Sequence, residues 1–207
     1  MLAIAKSGRF AVILAGGLLL CTTQSAYAGL VGVKEIKVFN AIPTWLQVSE
    51  VVATETGTGV DAALSSNGAV AAAGGPDFTN WPGSMPSFAI DGIGPAAFPN
   101  MYHPGASSGA GEHLIVTLAA PTELDSITIF GRTDCCSTRD IYNVQLLDMS
   151  GSLLHTVMNL DATGSSHFAT AQLPDTSNNR VPEPATLALF GLGLASFGFI
   201  RRRKFSA

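Results

Sequence analysis

Positive charge is scarce in the middle of this chain. Of its 207 residues 11 are Lys or Arg, yet between Gly29 and Arg180 only Lys34, Lys37, Arg132, Arg139 and Arg180 occur. Fourteen Asp and Glu share that stretch, for a net charge of −9. A surface that acidic argues against nucleic acid or anionic lipid as partners. Cysteine is scarcer still, with only Cys21, Cys135 and Cys136. Long amphipathic helical patterns are missing from the middle, and so are internal repeats. No recognised catalytic motif is present. Ser166 and His167 are adjacent, so in a strand they point to opposite faces. His103 with Asp134 or Asp140 makes no compelling acid–base pair. No enzymatic activity is expected.

What is there begins with the two ends. Lys6 and Arg9 precede a short apolar run, Phe10 to Leu20, and Ala26-Tyr27-Ala28 places small residues where a signal peptidase reads them. The run is about a dozen residues, too short for a spanning helix of about 20. Leu18-Leu19-Leu20 before Cys21 lack the small residues of a lipidation site. Residues 1–28 are therefore expected to be a signal peptide cleaved after Ala28. At the other end, Val181-Pro182-Glu183-Pro184-Ala185 leads into an apolar, Gly-rich stretch that stops at Ile200, followed by Arg201-Arg202-Arg203-Lys204. The 16 residues from Ala185 to Ile200 give about 24 Å of helix against a hydrocarbon core of about 30 Å, and the basic cluster can snorkel and stop transfer. Those cations should stay cytoplasmic, leaving the chain before Pro182 outside. This arrangement resembles the PEP-CTERM tail of Gram-negative bacteria. The resemblance implies export, recognition by a membrane-embedded exosortase, and residence of the tail helix in the inner membrane at least transiently.

The stretch between the ends has the length of one domain. Lys34–Asn40, Trp45–Ala53, His113–Ala119, Ser126–Gly131, Ile141–Met149, Ser152–Asn159 and His167–Leu173 are rich in Val, Ile and Thr and separated by turn residues. Residues 56–75, rich in Gly, Ala and Ser, read as a loop with room for one poor strand. The expectation is an all-β antiparallel sandwich or jelly roll over 29–175, a linker over 176–181, and the tail over 182–207 with its helix at 185–200.

One segment concentrates chemistry. Arg132 and Arg139, the two arginines of the folded part, flank Cys135-Cys136 in a loop after the 126–131 strand. Outside the cytoplasm thiols are normally oxidised, and an adjacent pair can bridge to itself, bridge between molecules or stay reduced. If the two bridge, their Cα atoms are held about 3.8 Å apart, and the small rigid ring offers a flat, dry sulfur face. Planar arginine forks beside such a face suit a pyranose, which has C–H patches and hydroxyl edges. The plainer reading is two reduced cysteines, with Arg132 and Arg139 in weak surface pairs with Asp134 and Asp140.

Residues 126–151, with Arg132-x-Asp134-Cys135-Cys136-x-x-Arg139 and Leu146-Leu147-Asp148-Met149-Ser150-Gly151, resemble the fucolectin group of discoidin-like, galactose-binding-like sandwiches. Phe88-Ala89-Ile90-Asp91-Gly92 is similar to a turn of that superfamily, and the likeness covers roughly residues 45–160. It implies a discoidin-like fold and a glycan ligand, such as exopolysaccharide, held by Arg132, Arg139 and a histidine, with a Cys135–Cys136 disulfide packed on the sugar. His103 lies in the right kind of loop; His113 reads as a strand residue. Thr138 departs from the glutamate usual before the second arginine. Phe88 and Ile93 stand where the family's calcium loop is polar, so of that loop only Asp91 and Glu50 remain as ligands for structural calcium, which needs six or more oxygen donors. No metal or other cofactor is expected, and Asp91 reads as a turn cap. The chain lacks the family's last two strands, but Trp45-Leu46-Gln47-Val48-Ser49-Glu50-Val51-Val52 is similar to the final one. The N-terminal strands are therefore expected to close the sheet. The alternative function is a non-catalytic structural protein of an extracellular matrix or biofilm.

Overall fold

The computed structural model describes residues 29–75, 80–105 and 111–176. The expected signal segment, most of the linker, and the tail with its spanning helix lie outside them. Among the described residues there are seven strands: β1 (Leu30–Asn40), β2 (Glu50–Glu55), β3 (Val70–Gly74), β4 (His113–Phe130), β5 (Ile141–Leu147), β6 (Leu153–Asp161) and β7 (Phe168–Gln172). All pair antiparallel. Helical structure among the described residues is limited to 3-10 turns, the longest being Pro86–Ile90. The all-β antiparallel expectation therefore holds.

β4 organises the sheet. Sequence patterning places two strands here, His113–Ala119 and Ser126–Gly131, but one strand of 18 residues runs through. Its first half pairs with β1 and β3, its second with β2 and β7. The β1 register jumps from Glu35↔Thr117 to Val33↔Thr122, so Pro121 falls where the ladder is interrupted and no backbone donor is needed. Buried positions run Leu114, Val116, Leu118 and Leu124, then change parity to Ile127 and Ile129. The change coincides with the register shift opposite Thr54 and Glu55. The strand thus turns a different face inward in each half, and the sheet folds into a sandwich-like form. Ile36 and Val38 of β1, Val51 of β2, and Val144 and Leu146 of β5 complete the core, each fully buried and worth roughly 1.5–3 kcal/mol.

Two boundaries differ from the sequence reading. The strand expected from Trp45 begins only at Glu50, because Val48 pairs with Tyr102 instead, and β4 is first met where Ser49 N donates to the Phe130 carbonyl. The Gly- and Ala-rich stretch contributes β3, which lies along the first half of β4. β1 sits at the sheet's centre, between β4 and β5, so the N-terminal segment is integral to it.

Both ends of the described domain meet. Thr176 N donates to the Gly29 carbonyl at 3.1 Å, and its hydroxyl accepts from Val31 N at 3.0 Å. Nearby, Leu173 N donates to the Asp125 carbonyl. From Leu124 to Phe130, β4 then runs about 20 Å to the opposite end of the sandwich, where β1 finishes and β5 begins.

Candidate functional site

At that far end β4 passes through Gly131 into the loop of residues 132–140. Gly131 N donates to the His167 carbonyl, and its own carbonyl accepts from Ser49 Oγ at 2.7 Å. A Cβ here would collide with the Asp140 carboxylate, so the approach requires glycine. Asp140 is fully buried, and its Oδ2 accepts from Arg132 N at 3.0 Å, tying the two ends of the loop together. Burial pushes its carboxyl up to about 7, against the lowering effects of that bond, of Tyr142 and of the two nearby guanidiniums. Cys135 and Cys136 are disulfide-bonded, with Cα atoms 3.8 Å apart. Cys136, at φ 62°, leads into the 3-10 turn Ser137–Arg139.

Arg132 is fixed on two sides. Its Nε and Nη2 each donate to Asp134 at 2.7 Å, and its guanidinium lies 5.1 Å from the centre of the Phe98 ring. Asp134 also accepts from Phe98 N, and Thr133 N donates to the Ala96 carbonyl, so residues 132–134 are stapled to 96–98. The Arg132 hydrogen bonds hold the Asp134 carboxyl far below the usual range. Of the surface pairs considered from sequence, Arg132–Asp134 forms. Among the described residues Arg139 has no such pair with Asp140. Arg139 is held through its backbone: Asn40 Nδ2 donates to its carbonyl at 3.1 Å and to the Trp45 carbonyl at 2.8 Å.

His103 is 7% exposed. Its Nδ1 lies 2.9 Å from the Pro104 carbonyl, which can only accept, so Nδ1 carries a proton. Burial lowers its pKa, opposed by the Pro104 bond and helped by the charges of Arg132 and Arg139. The ring is therefore neutral, and Nε2 is an acceptor. Trp45, Trp81 and Phe98 surround it, with centroids 5.1, 5.9 and 6.0 Å away. Trp45 and Trp81 stand edge to face, 6.0 Å apart. Backbone pairing gathers these pieces: Val48 with Tyr102, and Trp81 N with the His103 carbonyl. The result is a cleft of about 290 Å³ lined by Trp45, Trp81, Phe98, His103, Arg132 and Arg139.

The structure thus brings together three residues singled out from sequence, His103, Arg132 and Arg139. Cys135 and Cys136 belong to the same loop but are not among the residues lining the cleft. The flat apolar surface is supplied by aromatic rings that sequence reasoning missed. A signal existed: Trp45 and Trp81 are the chain's only tryptophans, and Trp81 stands before Pro82-Gly83 in a loop. His113 opens β4 and stacks on Phe39. Asp91 caps its own turn by accepting from Ile93 N at 2.8 Å. Glu50, pushed up to about 8 chiefly by burial, accepts from Gly92 N. Among the described residues no three His, Cys, Asp or Glu side chains gather as a metal site.

Beyond the described domain, comparison with protein families identifies the C-terminal segment. Residues 180–204 match the PEP-CTERM protein-sorting motif. The chain therefore carries the tail of an exosortase-processed, exported protein, as found at the surface of Gram-negative bacteria. No curated protein and no solved structure matches the chain. The PEP-CTERM tail accounts for where the chain goes, and the cleft is left to account for its role there.

Proposed function

We propose that the exported domain is a non-catalytic glycan-binding module, a discoidin-like jelly roll in kind, whose ligand is an exopolysaccharide or related glycan of the cell exterior. One observation carries this reading: two indoles and a phenyl ring share a cleft with two guanidiniums and a neutral imidazole. A pyranose ring has C–H faces that pack on aromatic rings and hydroxyl edges that accept from arginine forks or donate to His103 Nε2. The disulfide serves as a clip on the loop that presents Arg132 and Arg139. Because Cys135 and Cys136 bond to each other, they support this reading over that of a cross-linked scaffold. The tail holds the chain in the inner membrane at least until the exosortase acts.

Both tryptophans line the cleft, so intrinsic fluorescence reports its occupancy directly. Titration of the full chain with a glycan panel should quench or shift that emission. Trp45→Ala and Arg139→Ala should each weaken binding roughly tenfold or more. Binding that survives both Arg132→Ala and Arg139→Ala unchanged rejects the site.

A further inference from the structure

The charges around the cleft are unequally matched. Arg132 commits Nε and Nη2 to Asp134 and rests on Phe98, so its charge is balanced within the protein. His103 is neutral, with Nδ1 held by Pro104. Asp140 is fully buried and bound to Arg132 N, near both guanidiniums but not ion-paired with Arg139. Arg139 lines the cleft, yet among the described residues its guanidinium makes no ion pair and no hydrogen bond. Fourteen carboxylates and five cations occupy residues 29–180, so carboxylates were abundant as partners. A cleft arginine with no ion-paired carboxylate, in so acidic a domain, leaves its donors available to a ligand.

Three ligand chemistries are separable on this geometry. Aromatic walls alone suit a quaternary ammonium, but two guanidiniums in the same cleft repel a cation. A densely charged polyanion is repelled at long range by a domain of net charge −9. A single carboxylate on an otherwise uncharged sugar ring meets neither objection. Its pair of oxygens can accept both prongs of the planar Arg139 fork. We infer that the cleft takes a carboxylate-bearing sugar, a uronic acid unit within a glycan, with the carboxylate on Arg139 and the ring against Trp45 and Trp81. The inference rests on the glycan-binding reading above and narrows it to one substrate class. Arg132 is then a positioning residue, holding Phe98 and the loop, and Arg139 reads the charge.

The test uses the full chain in mild detergent and follows the fluorescence of the two tryptophans. The ligands are otherwise neutral oligosaccharides bearing one uronic acid unit, each paired with its carboxyl-reduced form, plus neutral oligosaccharides bearing one O-sulfate. At least one acidic form should bind roughly tenfold or more tightly than its reduced partner. Arg139→Gln should bring that ratio close to one, Arg139→Lys should keep part of it, and Arg132→Gln should weaken both forms alike. Reduced forms that bind as well as acidic ones overturn the inference, as does a preference that survives Arg139→Gln or a tighter fit to the sulfated set. If reduced forms bind and Trp45→Ala abolishes that binding, the glycan reading stands and only the acidic class falls. If no sugar perturbs either tryptophan, both fall.

Discussion

Asn40 closes β1 with an amide that bonds in three directions: its NH2 group reaches the carbonyls of both Trp45 and Arg139, while Oδ1 accepts from Ile42 N at 3.0 Å. Two cleft walls from distant parts of the chain are thereby held by one side chain. Asn40→Ala removes both donors and leaves partly buried carbonyls unpaired, a loss of roughly 1–3 kcal/mol. Asn40→Asp keeps the acceptor but not the donors. Both variants should bind the glycan about tenfold more weakly than the parent in fluorescence titrations. Unchanged affinity in Asn40→Ala would show that Trp45 and Arg139 are placed by other contacts. At this scale the sequence was unevenly legible. The arginines and cysteines stood out because they lie within eight consecutive residues and are otherwise rare. Asn40, Trp45, Trp81 and Phe98 did not, because only pairing between distant segments brings them together.

The loop of residues 132–140 is short, but it is fastened at its base by Asp140, at its flank by Asp134 and at its tip by the disulfide. A bridge between neighbours closes almost no chain, so its effect on the unfolded state is small, about 1 kcal/mol by loop entropy. Its main effect is local, through the left-handed Cys136 that starts the turn carrying Arg139. Replacing both cysteines by alanine should therefore lower the melting temperature by only a few degrees while weakening glycan binding clearly. A variant that loses the fold but binds normally when folded would contradict this division of roles. Strand existence was legible from β-branched alternation, as in β1 and β5. Strand continuity in β4 was not, since Pro121 signals a break and only the bulged ladder shows that none is needed. Residues 45–49 misled for the opposite reason. Their composition suits a strand, but Val48 is claimed by Tyr102 before the main ladder can use it.

Across the whole molecule, two buried carboxyls tie stability to pH. Burial raises Asp140 to about 7 and Glu50 to about 8, from 3.8 and 4.5 in an unfolded chain. The fold therefore holds protons that the unfolded chain has released. Their contribution is fully present below about pH 4 and is lost as pH rises through 7 and 8. His103, lowered by burial, acts oppositely below about 6.5, and Asp134, lowered by Arg132, protects the fold until pH falls below about 4. Two large carboxyl shifts outweigh one imidazole, so the melting temperature should be higher at pH 5 than at pH 9 by calorimetry. The double variant Glu50→Gln, Asp140→Asn should flatten that dependence, and a melting temperature that rises towards pH 9 in the parent would refute it.

The meeting of Gly29 with Thr176, at the end of the sandwich away from the cleft, has a mechanical meaning. A ligand seated among Trp45, Arg132 and Arg139 pulls at one end, and whatever retains the PEP-CTERM tail pulls at the other. The load then runs lengthwise along β4 and its partner β7, so their cross-strand bonds are sheared together rather than peeled one at a time. Rupture along that axis demands that the bonds fail together, which, on the proposed glycan-binding reading, suits a tether under tension.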